Sequence, residues 1–212
     1  MPGQIIAATT VPPLKNKNFK NISVGDNIYL SKNRNAYFSK IIGRIKWNGD
    51  NVEIIPERII NQSIKNYTKE IGCAEALVIK GSVENSAGII TKSDLFILGD
   101  LKNTPVKAGG DIYVSGVISD CLTKTITANG NIICSAIIKS NVTSNEGSLI
   151  VSEEIIDSFT SAFEHIILDG KKQLILGGET TAGKTITAGI IGDGEKETII
   201  NLKKLSKHSI EI

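Results

Sequence analysis

The 212-residue chain has little of what builds most catalytic and metal sites: two histidines, three cysteines, one tryptophan and one methionine. His165 and His208 lie far apart, with no cysteine or histidine at ligand spacing from either, so they read as surface or turn histidines. Cys73, Cys121 and Cys134 form no C-x-x-C pair, and an odd count argues against a closed disulfide framework. They read as small buried hydrophobes in a reducing compartment. Formal net charge is only +2, which gives no reason to expect nucleic acid or an anionic membrane as partner. The short basic stretches 15–20 and 203–207 read as solvated tails. No apolar run approaches the ~20 residues that cross a bilayer. The first ten residues lack the basic start and apolar core of a secretory signal, so a cytoplasmic location is expected. Aromatics make up 5% of the chain, while Ile, Val, Thr and Gly abound, a bias toward strands and turns.

What the chain does have is repetition. LVIKGSV (77–83), LFILGDL (95–101), IYVSGVI (112–118), IICSAII (132–138), LIVSEEI (149–155) and TITAGII (185–191) align, and IILDGKK (166–172) joins them for five positions. The steps are 17 to 20 residues. A second motif precedes four copies: IITKSD, VKAGGD, ITANGN and VTSNEGS, each a β-branched residue, a small residue and a turn. Units this short cannot enclose a core alone, but stacked coils bury their inward side chains on one another. At ~4.8 Å per coil, seven coils make a rod roughly 34 Å long. The expected inward stack is Ile79, Ile97, Val114, Cys134, Val151, Leu168 and Thr187, or their immediate neighbours. Turn glycines Gly81, Gly99, Gly110, Gly116, Gly130, Gly147, Gly170 and Gly189 are expected to supply a positive φ or a tight bend at the corners. No sustained i, i+3, i+4 apolar stripe runs through residues 77–202, and the pattern of a leucine-rich repeat is absent. The fold class expected is all-β: a right-handed parallel β-helix of about seven coils over residues 71–202, after a β-rich entry segment 1–70 and before a tail 203–212.

VKAGGDIYVSG (106–116) followed by TITANGNIIC (125–134) resembles the coils of the flagellar assembly protein A family. DGKKQLILGGETTAGKTITAGIIGDGEKETIINL (169–202) is similar to that family's closing segment. PGQIIAATTVPP (2–13) and the stretch 24–56 resemble its entry into the domain. The resemblance implies a β-solenoid scaffold without catalysis, linked to flagellar assembly or placement. Bactofilins, which polymerise end to end, and the solenoid domain of the division-site protein MinC are similar in style. Unidentified protein partners, a homo-oligomer through the solenoid ends, and no cofactor or metal are expected.

Gly178-Glu179-Thr180-Thr181-Ala182-Gly183-Lys184-Thr185 matches the G-x-x-x-x-G-K-[ST] loop that wraps phosphates. Such a loop needs a helix directly after its lysine. The residues that follow Thr185 are β-branched and glycine-broken, a poor helix. The match therefore reads as incidental, with Gly178, Gly183, Lys184 and Thr185 on the repeat register as turn and strand. Asp94 and Asp111 fall one coil apart and would sit ~5 Å from each other, as carboxylates cluster in β-helical polysaccharide enzymes. Asn131 and Ser148 continue that column, as a column of turn residues predicts. Asp100, Asp120, Glu153 and Glu154 complete the candidate acids.

Overall fold

A computed structural model describes residues 5–8, 23–31, 36–41, 43–48 and 51–203. The chain divides into two compact units at Arg58/Ile59. In the first, strands Ile5–Ala8 and Ile28–Ser31 flank Ala36–Ser39 in an antiparallel sheet. Gly43–Asn48 and Asn51–Ile60 form an antiparallel pair, joined by the short parallel strand Ser23–Val24. Ile28, Val52 and Ile54 make its small apolar cluster, and Tyr29 stacks on Phe38 with ring centroids 5.6 Å apart.

In the second unit every pairing between strands is parallel, and the described residues contain no helix. Three columns of strands run along a β-solenoid. Face 1 stacks Ala76–Ile79, Leu95–Ile97, the openings of Ile112–Ala128, Ile132–Ser144 and Leu149–Ala162, then His165–Leu168 and Thr185–Thr187. Face 2 stacks Ile64, Val83, Leu101, Ile118, Ile137, Ile155, Ile175 and Ile191. Face 3 stacks Ile71, Ile89, Val106, Ile126, Val142, Thr160, Thr180 and Ile200. Eight rungs on faces 2 and 3 make eight coils, one more than the seven expected. The extra coil lies at the start: Ile64–Lys65 pairs with Val83–Glu84, so the ladder reaches back beyond Ile71.

The inside is one apolar column. Face 1 gives two side chains per coil to it and face 2 one, and most of these are fully buried: Leu77 and Ile79, Leu95 and Ile97, Val83, Leu101, Ile118 and Ile137. Each such side chain contributes roughly 1.5–3 kcal/mol on leaving water. Where face 3 ends the space narrows, and Ala108, Ala128, Ser144, Ala162 and Ala182 fill it. Ile79, Ile97, Val114, Cys134, Val151 and Leu168 point inward, as expected from the sequence. Thr187 does not; it is exposed. Ile166 pairs with Ile186, not Thr185, so the last coil is shifted by one residue and Ala188 packs against the core instead. Aligning Gly189 with Gly170 produces that slip. Gly189 in fact stands over Gln173, four residues after Asp169.

Of the two roles expected of the turn glycines, a positive φ is not the one they play. None of Gly81, Gly99, Gly110, Gly116, Gly130, Gly147, Gly170 or Gly189 has a positive φ. They give clearance: an added Cβ on Gly110 would overlap Asp94 Oδ1, and one on Gly130 would overlap Asp111 Oδ1. A row of left-handed positions follows face 2, occupied by Asn66, Asn85, Asn103, Asp120, Lys139 and Asp157, and then by Gly177. Asn and Asp tolerate this region because their short side chains bond locally, whereas Lys139 (φ 45°) has no such compensation. Lys139→Val should therefore lower stability by about 1–2 kcal/mol, with Lys139→Gly neutral or stabilising, as read from urea unfolding midpoints.

Candidate functional site

The corner before face 1 holds the aligned acids. Asp111 N donates to Asp94 Oδ1 at 2.9 Å, Asn131 N to Asp111 Oδ1 at 2.6 Å, and Ser148 N to Asn131 Oδ1 at 2.9 Å. Each side chain accepts the amide of the next coil, and a glycine just before that amide (Gly110, Gly130 or Gly147) makes room. The column continues as His165, whose Nδ1 lies 2.7 Å from Thr185 Oγ1. Asp94 and Asp111 thus sit one coil apart, but as stacking acceptors. A general acid/base pair would instead face a substrate. The corner between faces 1 and 2 repeats the device. Ser82 N donates to Ser63 Oγ, Asp100 N to Ser82 Oγ, Val117 N to Asp100 Oδ1 and Lys172 N to Glu153 Oε2. Asp120 pairs with Lys102 at 3.5 Å, both about half exposed, and Glu154 with Lys172 at 3.0 Å, the lysine exposed and the carboxylate mostly shielded. The candidate acids are therefore spread over three corners and face 2, and no group of three His, Cys, Asp or Glu side chains among the described residues could hold a metal. His208 lies outside the described residues.

The phosphate-loop match is strand and turn. Gly178 to Ala182 belong to the strand Leu174–Ala182, paired with Ser158 to Ala162 on one side and with Thr198–Leu202 on the other. Thr185 opens a strand opposite His165. The amides that would cradle a phosphate are engaged: Gly183 N donates to Ala162 O and Lys184 N to Glu164 O. Lys184 Nζ reaches Glu164 Oε1 at 2.6 Å. No helix N-terminus supplies an anion site here.

One feature was not anticipated from the sequence. Directly after the left-handed row, small polar side chains are buried on one another: Ser86, Thr104, Cys121, Ser140 and Ser158. Ser86 N donates to Thr104 Oγ1, Cys121 N to Ser140 Oγ and Ser140 N to Ser158 Oγ. Each hydroxyl donates in turn to the carbonyl two residues before it, as Ser140 Oγ does to Ile138 O at 2.8 Å. Cys121 Sγ does the same toward Ser119 O. The signal was available as a serine, threonine or cysteine recurring every 17 to 19 residues.

A parallel solenoid whose aligned corner acids receive amides agrees with the comparison with known families. The family model of the flagellar assembly protein A β-solenoid domain matches residues 56–211. The chain belongs to this family. No curated protein and no solved structure matches it. The match begins at the seam between the two units, so the family's solenoid is the second unit together with the last residues of the first. Among the described residues no helix is long and apolar enough to cross a membrane.

If Asp111 serves stacking, Asp111→Ala should cost about 1–2 kcal/mol by leaving the Asn131 amide without its acceptor, while Asp111→Asn should cost far less. Denaturant unfolding of both variants measures the difference. Burial pushes the Cys134 and Cys121 thiols up from their ordinary value, so both stay protonated at pH 8. Thiol labelling at pH 8 should modify half-buried Cys73 first and the other two only on unfolding. The stability these two thiols contribute is intact below the unfolded-state value of about 8.5 and falls as the pH rises above it.

Proposed function

We propose that this solenoid is a non-catalytic, cytoplasmic scaffold that binds proteins during flagellar assembly or placement. One observation carries the reading. The last strand, Thr198–Leu202, is paired on one side only among the described residues, and around it Ile190, Ile191, Ile199 and Leu202 stand about half exposed. Unpaired edges of this kind invite another chain to add to them. Family membership supports the flagellar context. The engagement of the aligned acids in coil stacking supports the absence of chemistry. The same edge also supports a second reading, end-to-end polymerisation in the style of bactofilins, which would give filaments at micromolar concentration under negative stain.

Pull-down from the native cell tests the proposal. The unmodified chain should retain flagellar-assembly proteins, and Ile199→Asp with Leu202→Asp should release them without changing the melting curve of the solenoid. Partners retained equally by both chains would remove the end coil as the docking site. A fluorescent ATP analogue should bind neither the unmodified chain nor Lys184→Ala; binding lost on substitution would overturn the non-catalytic reading.

A further inference from the structure

The three faces differ in what they turn outward. On face 3 the outward positions are mostly polar (Lys107, Thr127, Thr143 and Ser161, with Ile90 the exception), and on face 2 they pass from Lys65, Glu84, Lys102 and Ser119 to Ile138, Ile156 and Leu176. On face 1 the middle residue of each strand is apolar through six consecutive rungs: Val78, Phe96, Tyr113, Ile133, Ile150 and Ile167. Ile59 extends the row backward, because Lys80 N donates to Ile60 O with the offset that Leu98 N keeps to Ile79 O. Phe96 and Tyr113 touch, ring centroids 6.2 Å apart. A sheet with one side in water normally alternates apolar and polar, and strands apolar on both sides belong to sheets covered on both.

Charge beside this row says what covers it. The position just past each face 1 strand carries Lys80, Leu98, Ser115, Ser135, Ser152 and Asp169 in successive coils. Its only cation and its only anion stand at opposite ends of those six rungs, and both are exposed. A two-fold axis parallel to the strands, midway between the Tyr113 and Ile133 rungs, lays Lys80 of one copy on Asp169 of the other. The same axis sets Tyr113 over Ile133, Phe96 over Ile150 and Val78 over Ile167. Within this column no like charges meet.

We propose that face 1 is a self-association surface on which two copies of this chain pack antiparallel, Lys80 of each against Asp169 of the other. The face measures roughly 34 Å by about 13 Å, so about 450 Å² is covered on each copy. That falls at the low end of specific interfaces, and the dimer is weak and concentration-dependent. The surface is distinct from the end coil, so its failure leaves the scaffold reading to its own test.

Sedimentation equilibrium of the full chain from about 1 μM to about 300 μM should show a monomer passing to a dimer. Tyr113→Glu, and Tyr113→Ser as the milder variant, should hold the chain monomeric with an unchanged far-UV spectrum. Lys80→Glu and Asp169→Lys should each weaken the dimer at least about tenfold, and the double exchange should restore it. A monomer at every concentration overturns the proposal. So does a dimer indifferent to both Tyr113 variants, or a double exchange no better than the single ones.

Discussion

Parallel stacking in register is the constraint on which everything else in this solenoid depends. A coil here has no fold of its own; its amides and carbonyls are satisfied by the coils before and after it. Along the faces the ladder does this without help. At the corners the backbone turns away, and side chains take over. Before face 1, and between faces 1 and 2, an Asp, Asn or Ser oxygen receives the amide of the following coil. After face 2 the direction reverses: the amide of Ser86 or Ser140 is received by the hydroxyl of the following coil. The corners thus satisfy both sides of a coil, and shifting any coil by one residue would break all of them together while turning its apolar side chains into water.

This explains what was legible in the sequence and what was not. The apolar triplets of face 1 and the Gly-Asp or Gly-Asn turns sit at nearly fixed spacing, so the parallel solenoid and six of its inward positions could be read directly. Thr187 could not, because the turn before Thr185 is followed by a strand whose first inward residue is Ile186. Gly189 happens to fall five residues into that segment, where Gly170 falls in the previous copy, and the coincidence outweighs the β-branched pattern. Glycine identity alone does not distinguish a left-handed turn from a lack of space. Gly130 is required by the carboxylate of Asp111 beneath it, which belongs to another coil and appears only when the coils are stacked.

The left-handed row was hidden for a related reason. Asn85, Asn103 and Asp120 look like ordinary surface residues, and Lys139 in the same row has the wrong chemistry for the conformation. The position is held by the geometry of the corner, so residue preference there is weak evidence. The buried hydroxyl column tolerates a departure too. Cys121 keeps the backward bond to Ser119 O, at 3.2 Å, and its amide still reaches Ser140 Oγ, at 3.3 Å, slightly longer than the hydroxyl rungs beside it. A thiol is a weaker partner than a hydroxyl, and one weak rung among several is affordable in a column whose neighbours are complete.

Function can reside where neither packing nor stacking fixes the residue. Inward positions are fixed by packing and corner positions by the amides they receive; the acids a β-helical enzyme would need, Asp94 and Asp111 foremost, belong to the second set. Outward positions on the faces carry neither duty, so their chemistry is free to vary with function. On face 3 they are largely hydroxyl and amide groups, on face 2 they pass from charge to Ile138, Ile156 and Leu176, and on face 1 they stay apolar from coil to coil. Stacking alone would permit any residue at those face 1 positions. A row that remains apolar through six rungs, although solubility favours polar groups there, therefore reflects a requirement that lies outside the coil stack itself.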